Sequence, residues 1–236
     1  MRLLVNHLTR MAPGFVCVAG FDPDSKKHVR PVIHGRLSSD LLERFGGPFD
    51  IANLVELGEV TPTGTAPELE DNLFEPTNSS KIKSLDADRF WRVLQALSGS
   101  SLSDVFGDVI QYTDASAVVG VGLGERSLGC LTSQAQFGMY ISAFDKIRLT
   151  FEDEGHALDL GVTDARLHAP PDWQIREDRV EEIAARLRHG ERVILSLGLS
   201  RAFQKKGDTV RRHWLQVNNI HLEGSPVWNE HSETGS

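Results

Sequence analysis

Residues 193–222, VILSLGLSRAFQKKGDTVRRHWLQVNNIHL, read as two long strands joined by a charged loop. On the first arm Leu195, Leu197, Leu199 and Phe203 fall on one face by period-two spacing, the pattern of a half-buried strand. The opposite face carries Ser196, Gly198, Ser200 and Ala202, all small, so something flat is expected to approach the backbone there. On the second arm Leu215 and Val217 share one face, while Trp214, Gln216 and Asn218 share the other. The loop between the arms gathers Arg201, Lys205, Lys206, Arg211 and Arg212 around the single acid Asp208. In a chain of net charge −8 this cationic tip is an outlier. Cations, a tryptophan and amides together suit a stacked base and its phosphate. They also suit an amphipathic hairpin with a solvated basic turn.

Outside the hairpin the charge is uneven. No Lys or Arg occurs between Arg44 and Lys81, a span holding Asp50, Glu56, Glu59, Glu68, Glu70, Asp71 and Glu75. Such a balance argues against a sequence-blind duplex binder, whose affinity comes mostly from phosphate neutralisation. A local cationic groove on an acidic body remains compatible with it. No apolar run is long enough for a membrane span, and MRLLVNHLTRM reads as a strand rather than a signal. Cys17 and Cys130 have no CxxC partner, so two free thiols and a reducing cytoplasm are expected.

From the N-terminus, residues 2–9, 15–21, 28–33 and 51–60 read as strands, with Pro31 placing the third at an edge or marking its end. Ser38, Ser39 and Asp40 are placed to cap a short helix, LLERF, stopped by Gly46, Gly47 and Pro48. An acidic loop, 61–80, precedes a helix capped by Ser84, with Phe90, Val93, Leu94 and Leu97 on one face. Further on come strands at 138–144, 146–152 and 156–162, a helix over 178–189, and the hairpin. Three strands, a helix and two strands is the element order of an OB-fold, a small five-stranded Greek-key barrel. The first half reads the same way, with the helix near Trp91 as an insertion. The chain is therefore expected to be mostly β: two tandem OB-like five-stranded barrels, 1–125 and 126–223, then a mobile tail, 224–236.

The stretch FVCVAGFDPDSKKHVRPVI resembles the opening hairpin of the dual OB-containing domain family of bacterial proteins. LSLGLSRAF followed by HWLQVNNIH is similar to that family's closing hairpin. The resemblance implies two OB-folds and, by analogy, nucleic-acid contact; it brings no catalytic set.

Motif chemistry is otherwise sparse. Gly120, Gly122 and Gly124 lack the full dinucleotide spacing, and no helix follows them. His156 with Asp159, and Asp164 with His168, read as chance spacings, so no metal or other cofactor is expected. Glu68, Glu70 and Asp71 read as a solvated acidic loop rather than a Mg²⁺ site. The leading functional expectation is a non-enzymatic module for single-stranded DNA or RNA, or for nucleic-acid ends. In it Arg201, Lys205, Lys206, Arg211 and Arg212 meet phosphates, Trp214 meets a base, and Gln216 and Asn218 meet a base edge. The alternative is an adaptor that docks a partner enzyme through its barrels and acidic loop.

Overall fold

The strand Arg2–Arg10 has seven consecutive buried residues, which requires cover on both faces. In the computed structural model, which describes residues 1–170 and 172–228, it lies inside the first sheet. It pairs antiparallel with Phe15–Phe21 on one side and Asn53–Glu56 on the other. Beyond Phe15–Phe21 come His28–Val32, Asp71–Phe74 and Val60–Pro62; beyond Asn53–Glu56 comes Ser80–Ser84. Pro31 is the penultimate residue of its strand, so it marks an end; the strand itself is interior, paired parallel with Asp71–Phe74.

The expected LLERF helix is instead two single turns of 3₁₀ helix, Ser39–Leu41 and Glu43–Phe45. Five residues before a Gly-Gly-Pro stop are too few to offset the cost of nucleating an α-helix. The helix near Trp91 runs over Ala87–Leu97, capped by the Asp86 side chain rather than by Ser84, which ends a strand. Phe90, Trp91 and Leu94 are its buried residues.

In the second half the two hairpin arms are paired antiparallel, Val193–Leu199 with Arg212–Leu222, through a register shift after Ser196. Their six-stranded sheet runs Gln111–Tyr112, Ala117–Gly120, Arg212–Leu222, Val193–Leu199, Leu128–Thr132 and Ser98–Gly99. Gly138–Ile141, Ile147–Asp153 and His156–Gly161 form a three-stranded sheet, joined to the long arm by a bridge between Val162 and Val217. The helix Glu177–Arg188 sets Val180, Ile183, Ala184 and Leu187 into the same core. The fold is thus mostly β with OB-like halves; the expected three strands, helix and hairpin of the second half are present, with Leu128–Thr132 added before them and the short ribbon His168–Ala169 and Gln174–Ile175 added before the helix. The sheets hold more than five strands because short segments such as Val60–Pro62 and Ser98–Gly99 extend their edges.

Two cores interlock. One gathers Leu102, Val105, Ala117 and Val119 with the second half, upstream of the expected division at 125. The other draws Cys130, Ala165, Trp173 and Ile194 in with the first half. The small-residue face of the hairpin is where the halves meet. Asn6 donates from Nδ2 to Ser196 Oγ at 3.1 Å and to Cys130 Sγ at 3.2 Å. Asn219 clamps the Leu8 peptide, accepting its N–H at 2.7 Å and donating to its carbonyl at 3.2 Å. Every residue of Val193–Leu199 is consequently buried, and protein rather than a flat ligand covers that face. Of the expected tail, 224–228 packs down: Trp228 donates to the Ile220 carbonyl at 3.0 Å and the Arg166 guanidinium stacks on its ring. Residues 229–236 lie outside the described residues. No helix among the described residues is long and apolar enough to cross a membrane.

Candidate nucleic-acid interface

Between the halves lies a cleft of about 470 Å³. One wall comes from the first sheet, with His7, Thr9, Arg10, Cys17 and Arg30, and from Arg36 in the loop beyond it. The other comes from the hairpin, with Leu199, Ser200, Arg201, Gln216 and Asn218. Four arginines line this space and no carboxylate does. For a chain with 33 acids against 25 Lys and Arg, that is a strong local inversion of sign.

The four arginines are held differently. Arg30 is buried, its Nε 2.5 Å from Asp71 Oδ1. Arg201 reaches the other oxygen of the same carboxylate, Nη2 to Oδ2 at 2.5 Å, and lies 3.4 Å from Glu68. Arg36 is exposed, its guanidinium 5.7 Å from the Phe15 ring centre. Arg10 is half-buried, and burial lowers its pKa. Arg10 Nε and Arg30 Nη2 are buried without a hydrogen-bond partner, as are His7 Nε2 and Asn218 Oδ1. Buried polar atoms without partners are costly, and these four belong to residues that line the cleft.

The acidic cluster is not the solvated loop its sequence suggested. Glu68, Glu70 and Asp71 are each no more than 7 % exposed. Glu70 accepts from the backbone N–H groups of Ser127 and Leu128 at 2.6 and 3.1 Å, anchoring the start of the Leu128–Thr132 strand. Asp71 and Glu68 orient the cleft arginines. These carboxylates work behind the wall.

The hairpin residues divide between cleft and tip. Arg201, Gln216 and Asn218 line the cleft. Asn218 is buried, its Nδ2 3.1 Å from His7 Nδ1, so its amide already faces another side chain. Lys205, Lys206 and Arg211 are exposed on the loop, with Arg212 half-buried behind them. Arg211 donates to the Ala202 carbonyl at 2.6 Å, and Arg212 lies 3.7 Å from Asp208. The Lys205 ammonium sits 3.4 Å from the centre of the Trp214 ring. Burial there lowers the Lys205 pKa. The ring thus already carries a cation–π contact, and its Nε1 donates to the Phe203 carbonyl at 3.3 Å. Phe203, expected on the apolar face with Leu199, turns out at the loop and is 44 % exposed. It lies 6.2 Å from Trp214, centre to centre, and makes a second aromatic surface.

The sequence reading missed Arg10, Arg30 and Arg36, because they sit in the first half, one per strand or loop, with no local clustering. Leu8 and Arg10 share a face of their strand, so the sequence alone marks Arg10 only as the end of a buried strand. The other tryptophans are structural. Trp91 is core, and Trp173 is buried with its Nε1 donating to the Ala12 carbonyl at 3.2 Å. The chance spacings resolve as packing: His156 stacks on Tyr112 with ring centres 4.0 Å apart, and Asp164 pairs with Arg166 at 2.7 Å.

Two curled β units in tandem, joined by a polar cleft, define a protein with paired OB-like domains. The chain belongs to the dual OB-containing domain family, whose model matches residues 1–220. No curated protein sequence matches it significantly. Solved structures similar to it include the tetrameric p202 HIN2, with 10 % identity, TM-score 0.33, and 94 % and 92 % of the two chains covered. A murine DNA-binding protein bound to double-stranded DNA is similar at 8 % identity, TM-score 0.33, and the same coverage. At that TM-score neither superposition defines equivalent residues.

Proposed function

We propose that this protein is a non-enzymatic cytoplasmic module that binds single-stranded nucleic acid in the cleft between its OB-like halves. The observation that carries the reading is a cleft lined by four arginines and no carboxylate in a net-acidic chain. Phosphates meet Arg10, Arg36 and Arg201, and the strand continues over Phe203 and Trp214 toward Lys205 and Lys206. A 470 Å³ cleft has room for a nucleotide or two but not for a duplex, which also suits the modest number of cations. Gln216, half-buried on the cleft wall, supplies the group for a base edge.

The test is fluorescence anisotropy with labelled single-stranded DNA, RNA and duplex oligonucleotides at two salt concentrations. Single strands should bind more tightly than duplex. With five cations along the path, Arg10, Arg36, Arg201, Lys205 and Lys206, the slope of log affinity against log salt should be no steeper than about −3.5. Arg10→Ala/Arg36→Ala should weaken binding with the fold intact. An absence of affinity for any single strand at low salt overturns this function and leaves the partner-docking adaptor in its place.

A further inference from the structure

Behind the cleft, three residues far apart in sequence bring metal-ligand atoms together. His7 stands on the Arg2–Arg10 strand, His28 opens His28–Val32, and Cys130 is central in Leu128–Thr132 of the second sheet. One ring nitrogen from each histidine and Cys130 Sγ all lie within 4.8 Å of one another. The histidine rings meet edge to face with centres 5.4 Å apart. His7 and Cys130 are each 1 % exposed. Nε2 of His7 and Nε2 of His28 are both buried without a hydrogen-bond partner.

We propose that His7, His28 and Cys130 form a binding site for a thiophilic divalent cation of the zinc class, which pins the two OB-like halves together. Two imidazoles and a thiolate are a zinc donor set, leaving a fourth position for solvent. Tetrahedral donors stand about 3.3–3.7 Å apart, so the three atoms close by roughly 1 Å around an ion.

The surroundings supply what such ligands need from their outer partners. Asn6 Nδ2 points at Cys130 Sγ from 3.2 Å, and an N–H donor of this kind supports a thiolate. Asn218 Nδ2 faces His7 Nδ1 at 3.1 Å, while Asn218 Oδ1 has no partner. Turning that amide by half a revolution sets Oδ1 against His7 Nδ1, which then carries the proton and donates it. That fixes the tautomer with Nε2 free to ligate.

Cobalt(II) is the probe. The full chain is stripped with a chelator and titrated with Co²⁺, reading the near-ultraviolet thiolate charge-transfer band and the visible bands of tetrahedral cobalt. Wild-type protein should develop both at about one equivalent and lose them on adding Zn²⁺. Cys130→Ser should abolish the sulfur band, whereas Cys17→Ser, the other free thiol, should keep it. His28 is half-buried, so His28→Gln keeps the fold if Cys130→Ser does not. It should weaken Zn²⁺ binding at least about a hundredfold, the upper end of what losing an outer partner costs. No sulfur band in the wild type, a band that depends on Cys17, or Zn²⁺ affinity unchanged in His28→Gln each overturns the proposal. Oligonucleotide binding plays no part in these readouts, so a failure here is distinct from a failure of the nucleic-acid function.

Discussion

Arg201, on the hairpin, holds Asp71, in the first sheet, at 2.5 Å across 130 residues of chain. The same carboxylate holds buried Arg30 through its other oxygen, so one side chain fixes an arginine on each wall of the cleft. Removing Asp71 leaves Arg30 buried and uncompensated. Asp71→Ala should therefore destabilise the protein by about 3–5 kcal/mol, the usual cost of breaking a buried pair from one side. Urea denaturation measures this; a loss below about 1 kcal/mol would show that solvent or Glu70 takes over the pairing.

Gly198 has no room for a side chain. A Cβ built there would stand 2.3 Å from Asn218 Nδ2, on the wall of the cleft. Gly198→Ala should cost about 1–3 kcal/mol of stability, as overpacking does. It should also displace the Asn218 amide and weaken oligonucleotide binding. An unchanged melting temperature would mean that Asn218 swings aside freely.

At the hairpin tip, Lys205→Glu/Lys206→Glu should reduce oligonucleotide affinity and its salt dependence with little change in melting temperature, since exposed charges contribute little to stability. Trp214→Ala should cost about 1–3 kcal/mol of binding if a base stacks there. If instead the ring only seats the loop beneath Lys205, the melting temperature falls and binding does not. Measuring both properties on both variants separates these outcomes.

Acid should weaken the fold through its buried histidines, His168 and His221 among them. Burial lowers the pKa of His168 and of His221 to about 4 each. An unfolded chain takes up those protons near pH 6.5, before the folded protein does. Their stabilisation is therefore complete above pH 6.5 and is lost as pH falls from there toward 4. Urea midpoints at pH 7.5, 6 and 5 should decline in that order, and His168→Gln should flatten the decline if it folds. A midpoint constant from 7.5 to 5 would mean these rings are already charged in the native state.

The hairpin arms, the helix before them and the three strands between 138 and 162 were legible in the chain, because period-two alternation in 193–199 and the stripe of Val180, Ile183, Ala184 and Leu187 are local signals, whereas Asp71–Phe74 and Leu128–Thr132 were not. What the sequence concealed is pairing at a distance. Glu68, Glu70 and Asp71 look like a solvated loop until Arg30, Arg201 and the Ser127 amide arrive from elsewhere. Ser196 and Gly198 are small for Asn6 and Asn218 of the same protein, not for a ligand. The cleft arginines come singly from 10, 30, 36 and 201, and His7, His28 and Cys130 share no motif spacing. Nothing local announces such sets.

The strands Ser98–Gly99, Gln111–Tyr112 and Ala117–Gly120 complete the sheet of the second half. An expression fragment starting at residue 126 would thus lose both flanks of that sheet, exposing Leu128–Thr132 along one side and Arg212–Leu222 along the other to self-association. A fragment ending at 125 would carry Ser98–Gly99 and Ala117–Gly120 without their partners from the second half. Dissecting the protein into its two halves therefore calls for a cut upstream of Ser98, or for keeping the chain whole.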